Sequence, residues 1–462
     1  MLEQIREHLK EVLEETAGEE QGIFCAMLLG DKGNLEQEIK TRYQMAGIIH
    51  IMAISGLHLS ILGMGLFGIL KRIGLGNGMA GFLALAVIYP YGLMTGGGVS
   101  TLRAVSMMML SIGGKVLGRT YDMPTALALA AILLLLDSPD YLFDSGFLLS
   151  FGAVLGIGVI WPCVRGHFEK RKPFAEGLLA SLCVQAATLP VLLYFFYEAS
   201  VYGLVLNLLV IPTAGMVLLS GAAGSVLGCV WTRGARAVLL PGRALLKIYG
   251  LLCSWACRLP FCTWISGRPE LWQIGIYYAL LLGTLALWKI ADKRKENRET
   301  KEEMGRKEKA LLHSVLAILL FAGVWQLGFR GKAKLSVTCL DVGQGDAVVI
   351  TTEDGGAYLC DGGSSSKTSV GNYQILPYLK SRGIAVLDGI FVSHTDSDHI
   401  SGIKELLEAR AENLTSLRIR RLYLPDWSQA PEAWEELRTL AGKARIPVVC
   451  LGKRRETFWA GL

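Results

Sequence analysis

The sequence predicts a polytopic α-helical membrane protein that carries an α/β domain behind its last span. Three observations lead there. Hydrophobic residues make up 52% of the chain and charged residues only 19%, with a mean hydropathy of +0.41, too apolar for a soluble globule. Apolar stretches near the roughly 18 to 20 residues that cross a bilayer recur between residues 46 and 328. From residue 331 the texture changes to short β-branched runs broken by glycine.

The apolar segments run over 46–70, 78–95, 98–118, 124–137, 144–162, 175–197, 203–231, 237–258, 271–291 and 310–328, about nine or ten spans. Several contain Gly and Pro, as in LNLLVIPTAG and SLCVQAATLPVLLYFF, which membrane helices tolerate where neighbours satisfy the backbone. The opening MLEQIREHLKEVLEETAGEE lacks the pattern of a cleaved signal. Its Leu2, Ile5, Leu9, Val12 and Leu13 fall at helical spacing and predict an amphipathic helix. The expected division is an extracytoplasmic N-terminal segment over 1–45, a transmembrane domain over 46–330 and an α/β domain over 331–462.

Loop charge orients the spans. One side carries Lys71-Arg72, Arg119, Arg165 with Lys170-Arg171-Lys172, Arg233 with Arg236, and the run KRKENRETKEEMGRKEK. The other carries TGGG, DSPDYLFD, YEASVY and a segment holding Arg268. By the positive-inside rule the first side is cytoplasmic, so the C-terminal domain is expected outside. The net charge of +6 is not evidence of a nucleic-acid partner, because acidic and basic residues balance after residue 331.

In the C-terminal region, KLSVTCLDVGQGDAVVITTEDGGAYLCDGG reads as two or three strands, QILPYLKSRGI as a helix, LDGIFVSH as a buried strand and SGIKELLEARAENL as the helix after it. The loop between the last two holds His394, Asp396, Asp398 and His399 within six positions. Four such donors on one tight loop at a strand's C-terminal end suit a divalent metal that activates water. A plainer reading makes Asp398 or Ser401 a helix cap.

The first span is also polar. GIIHIMAISGLHLS carries His50, Ser55 and His58, and a continuous helix would set the two histidines about 80° apart on one face. Arg103 in GGGVSTLRA and Asn207 in LNLLVIP also lie within apolar segments, where ionisable and polar groups mark a path or a buried pair. Arg103 has snorkelling or pairing with Asp144 as alternatives.

HTDSDH resembles the H-x-H-x-D-H signature of the metallo-β-lactamase fold, a two-sheet αββα sandwich, and DVGQGDAVVI with LCDGG resembles the strands before it. Asp396 stands where that signature has its second histidine, which shifts the expected ion from zinc (Zn2+) toward manganese (Mn2+), with magnesium (Mg2+) also compatible. No histidine follows His399 and the later Gly-Asp motif is not visible, so the domain reads as truncated. LLGD, GIIHIMAISGLHLSILG, GGGVSTLRA, SPDYLFDSGFLLSFGAVLGI and LVLNLLVIP, followed by this tail, resemble the ComEC competence family. The resemblance implies a cytoplasmic-membrane channel admitting single-stranded DNA in natural transformation, beside a DNA receptor and a cytoplasmic translocation ATPase. His50, Ser55, His58, Arg103 and Asn207 would line the path. His394, Asp396, Asp398 and His399 would bind metal in a nuclease-like domain, with Asp398 and His399 catalytic and Asp398 orienting the water. The alternative is a transporter of another solute whose lactamase-like tail is an inactive interaction module.

Overall fold

The computed structural model describes residues 1–54, 56–165, 173–296, 306–331, 334–425 and 432–451. The chain divides into two compact units, one of Met1–Val191, Ser200–Leu259 and Leu285–Glu303, the other of Leu192–Ala199, Pro260–Thr284 and Met304–Leu462.

The first unit is helical. It begins with α1 (Leu2–Thr16), α2 (Gln21–Leu29), α3 (Gln37–Met45), a 3-10 turn over Ile49–Met52, and α4 (Gly56–Arg72). It continues with α5 (Asn77–Met94), α6 (Val99–Val116), α7 (Met123–Asp137), α8 (Ser145–Leu155), a π turn leading into α9 (Trp161–Arg165), α10 (Pro173–Phe196), whose residues from Leu192 on belong to the second unit, α11 (Gly203–Gly228) and α12 (Thr232–Arg258). Asp122 and Asp144 cap α7 and α8 by accepting from the Thr125 and Phe147 amides.

Among the described residues, six helices are long and apolar enough to cross a membrane, namely Asn77–Met94, Ser145–Arg165, Phe174–Phe196, Gly203–Gly228, Thr232–Arg258 and Leu271–Ile290. The chain is therefore a multi-pass membrane protein. The sequence suggested nine or ten spans, and the difference has local causes. The polar start of the first expected span turns as 3-10 helix and leaves α4 only 17 residues. In α6, Arg103 and Lys115 interrupt the apolar run. Met123–Asp137 and Ser314–Leu327 are apolar but short.

Segment 1–45 contributes to the core of this unit. Phe24, Met27 and Leu28 of α2 pack with Val217 and Leu218 of α11 and with Leu239 and Tyr249 of α12. Small residues permit the approach, since a Cβ on Gly221 would meet the Phe24 ring at 2.8 Å and one on Gly224 would meet Leu239 at 2.6 Å. Around Pro212 in α11, the Thr213 hydroxyl bonds the Leu209 carbonyl at 2.5 Å and the Tyr249 hydroxyl lies 2.6 Å from Thr213 Oγ1. Asp31 of the LLGD stretch accepts from Lys10 at 2.7 Å and from the Gly33 amide, and these bonds, the Lys10 one foremost, hold its carboxyl below the usual range.

The second unit is built on a six-stranded sheet. In chain order, β1 (Glu198–Ser200) and β2 (Thr263–Ile265) form a separate two-stranded sheet, while β6 (Val386–Leu387) pairs with β8 (Arg418–Ile419). The main sheet takes β3 (Ser336–Cys339), β4 (Val348–Thr351), β5 (Ala357–Cys360), β7 (Gly389–Phe391), β9 (Leu422–Pro425) and β10 (Val448–Leu451) in the order β10-β9-β7-β5-β4-β3. Pairing is antiparallel from β3 to β5 and parallel from β5 to β10. Helices α13 (Leu271–Glu296), α14 (Arg306–Leu327), α15 (Leu376–Ser381), α16 (Ser397–Ala411) and α17 (Glu432–Lys443) complete the chain. Strand alternation places Leu359, Ile390 and Leu422 in a core with Ile403, Leu406 and Leu437 of the helices.

A buried ion pair ties this unit together. Glu198 is 5% exposed and accepts from Lys380 Nζ at 2.6 Å and from Thr263 Oγ1 at 3.0 Å, and Thr263 Oγ1 lies 2.7 Å from Ser416 Oγ. Removing one member strands the other charge, at a cost of about 3–5 kcal/mol. Glu198→Ala is therefore expected to lower the unfolding temperature of the detergent-solubilised chain sharply. Adding Lys380→Met should restore much of the loss, and a double-mutant cycle measures the coupling.

Candidate functional site

The HTDSDH loop joins β7 to α16, where the parallel strands end. Its shape is set by Asp361, which follows β5 in the left-handed region at φ +54°. The Asp361 carboxylate accepts from the Ser393 amide at 2.8 Å, from Ser393 Oγ at 2.6 Å and from His399 Nδ1 at 3.1 Å. Ser393 Oγ also lies 2.8 Å from His394 Nδ1. With Nδ1–H as the donor on each ring, both imidazoles keep an Nε2 lone pair, the arrangement that orients metal-ligating histidines.

Close backbone contacts complete the cluster. Asp346 N donates to the Asp398 carbonyl at 3.1 Å, and Gly362 N donates to the His399 carbonyl at 2.8 Å. A Cβ on Gly363 would sit 2.6 Å from the His399 nitrogen, and one on Gly345, at φ +155°, would sit 2.6 Å from the Asp398 oxygen. Only glycine lets these loops meet.

The structure thus brings all four predicted loop donors together. His399 Nε2 lies 3.7 Å from Asp398 Oδ2 and His394 Nε2 lies 3.6 Å from Asp396 Oδ2, while the two rings are 3.8 Å apart. Two ligands about 2.1 Å from a tetrahedral ion stand roughly 3.4 Å apart, so each pair is spaced to share one. Among the described residues, however, no three His, Cys, Asp or Glu side chains converge on a common point. As placed, the donors do not close a metal centre, and no hydrolytic step follows from them. Asp361 and Asp346, the latter 3.8 Å from His399 Nδ1, are further members that the loop motif did not name. Their sequence signal is the Asp-Gly-Gly and Gly-Gln-Gly-Asp turns.

The polar residues of the first unit form a second group. His50 lies in the 3-10 turn and His58 in α4, so the expectation of one continuous helix carrying both is corrected: the chain leaves helix before Gly56. The two still lie close enough to interact electrostatically. Ser55 falls outside the described residues. Arg103 is 6% exposed, donates to the Ser150 carbonyl at 3.1 Å and lies 5.9 Å from the Phe151 ring. A Cβ on Gly56 would come 2.8 Å from its Nη2, which places the guanidinium at the start of α4. Its Nε is buried without a partner, and Asp144 is engaged as a helix cap. Gly203 abuts Gly47 and Gly215 abuts Ile61, so Asn207 of α11 lies alongside the 47–61 stretch, with its Oδ1 buried and unpartnered.

Residues 27–291, more than half of the chain, match the family described as Competence protein. The chain belongs to the competence protein family. Residues 340–449 match the metallo-beta-lactamase superfamily, whose members bind divalent metals in general. The chain is 29% identical to ComE operon protein 3 of Bacillus subtilis over 87% of its length and 51% of that protein. It is 26% identical to Recombination protein 2 of Haemophilus influenzae over 87% of its length and 54% of that protein. It is 26% identical to Competence protein ComA of Neisseria gonorrhoeae over 83% of its length and 52% of that protein. The chain spans about half the length of these relatives. No solved structure matches it. In this competence-family chain the family match covers His50, His58, Arg103 and Asn207, and the superfamily match covers the whole loop cluster.

The hub role of Asp361 is open to measurement. Asp361→Ala leaves the Ser393 amide and His399 Nδ1 without their acceptor, a loss of about 1–3 kcal/mol. Hydrogen exchange is expected to quicken at residues 392–400 and to stay unchanged in α17.

Proposed function

We propose that the chain conducts single-stranded DNA across the cytoplasmic membrane in natural transformation, with its lactamase-like region on the outer side. The observation that carries this reading is Arg103. A guanidinium buried among apolar helices, with no carboxylate partner among the described residues, is costly unless an anion visits it. A phosphodiester chain supplies one such anion after another. His50, His58 and Asn207 lie beside the same stretch and add polar surface, and Ser55 is assigned to it from the sequence. Relatives named for competence and recombination, and the uneven charge of the loops, support both the cargo and the orientation. Partners in the reading are a DNA receptor outside and a translocation ATPase inside.

The lactamase-like region carries the second half of the proposal. Any ion taken by His394, Asp396, Asp398 and His399 meets a carboxylate where a second imidazole would stand, which favours manganese or magnesium over zinc. Asp398 and His399 are the residues assigned to hydrolysis. One observation favours a second reading, in which this region is an interaction module in a transporter: among the described residues its donors stand in pairs. If the purified chain retains manganese after dialysis, and His399→Ala abolishes the retention, the module reading loses the observation that supports it.

For the channel itself, Arg103→Gln at unchanged protein level is expected to lower uptake of labelled DNA at least about tenfold, the weight of one lost charge-assisted contact. Arg103→Lys should keep part of the activity. Full uptake by the glutamine variant would sink the assignment.

A further inference from the structure

At the other end of the main sheet lies a groove of about 1390 Å3, larger than the roughly 300–1,000 Å3 of small-molecule pockets. Its floor is the entry of the parallel strands, with Ala357 opening β5, Asp388 just before β7 and Arg420 just before β9. The loop cluster follows the opposite ends of these strands, about 13 Å away at 3.3 Å per residue. The two are separate sites. The groove also receives the end of α10 through Tyr194, the start of α13 through Leu271, and Arg330 beyond the end of α14.

Its lining sets Arg268, Arg330, Lys334, Arg382 and Arg420 against the carboxylates of Glu270, Asp354 and Asp388, so basic groups are in excess. Arg268 stacks on the Tyr194 ring at 4.1 Å and donates to the Tyr194 hydroxyl. Arg330 spends Nη1 on the Leu327 and Phe329 carbonyls and leaves Nε and Nη2 without partners. Arg382 is exposed. Of the groove's cations only Arg420 is in an ion pair, with Asp388 at 2.5 Å, among the described residues. Tyr358 adds a half-exposed ring to the wall.

Guanidiniums in excess over carboxylates, beside tyrosine rings in one groove, suit a polymer of phosphates and flat bases. From this geometry we infer that the groove binds a single-stranded nucleic acid, with Arg268, Arg330 and Arg382 on its phosphates and Tyr358 against a base. This inference rests on the DNA-conducting reading and deepens it, because it places a holding site where three apolar helices end. A phospholipid headgroup shares the phosphate but occupies little of the volume and uses no base-stacking face.

The test uses the full chain in nanodiscs of neutral lipid and a fluorescent oligothymidylate of about 15 nucleotides. Wild type is expected to bind, with affinity falling steeply as salt rises. The variant combining Arg268→Gln, Arg330→Gln and Arg382→Gln should weaken binding and flatten the salt slope by about 2, at roughly 0.7 per phosphate contact. Arg382→Gln alone, at an exposed position, guards against misfolding and should flatten the slope by about 0.7. Tyr358→Ala should weaken binding about tenfold with the slope unchanged. If wild type binds and all these variants bind equally well, the groove assignment is overturned while the conducting reading stands. If wild type binds no oligonucleotide, the conducting reading falls as well. Variants that keep oligonucleotide binding but lose co-purified anionic phospholipid would show a headgroup site instead and overturn the proposal.

Discussion

A charge taken out of water needs a partner, and the way this chain meets that requirement organises both of its units. In the second unit Glu198 and Lys380 are withdrawn together, with Thr263 filling the remaining acceptor position on the carboxylate. In the first unit Glu20, 5% exposed, accepts from Arg243 at 3.0 Å. Such pairs contribute little net stability over an apolar replacement, yet they fix register, because neither member tolerates the loss of the other. Arg103 contrasts with these two pairs. It is as deeply buried as the others, donates to the Ser150 carbonyl and lies against the Phe151 ring. Among the described residues the carboxylates of Glu198 and Glu20 are paired at this depth, whereas the Arg103 guanidinium has no carboxylate beside it.

The same requirement explains what the sequence could and could not disclose. Hydropathy finds helices wherever apolar residues are dense and long, and all six span-length helices lie where the apolar segments were expected. It averages over backbone state, so it could not see that the stretch around His50 leaves the α-helix for a 3-10 turn. The placement of HTDSDH was legible because a buried strand followed by polar residues and a helix is a local pattern. Asp361 was not, since it reaches Ser393 and His399 only through the parallel pairing of β5 with β7, more than thirty residues apart. Distant pairing leaves only weak local marks, here the glycines that let the loops touch.

Strand parity connects the two ends of the sheet. In the parallel registers Cys360 stands beside Phe391 and Phe391 beside Tyr423. Side chains two residues apart share a face, so Tyr358 joins Cys360, Phe391 and Tyr423 on the face away from the core, where Leu359, Ile390 and Leu422 point. The rings follow one another in space, Tyr358 at 6.2 Å from Phe391 and Phe391 stacked on Tyr423 at 4.4 Å. Tyr358 lines the groove, and Phe391 is the last residue of the strand that leads into the His and Asp loop. One half-buried aromatic strip therefore runs from the cationic end of the sheet toward its acidic and imidazole-bearing end. A flat, base-bearing polymer held at the first end meets stacking surface along that strip. An anion without bases has no flat surface to set against it, so the strand alternation that lines up these rings bears on the proposed nucleic-acid ligand and not on a bare phosphate.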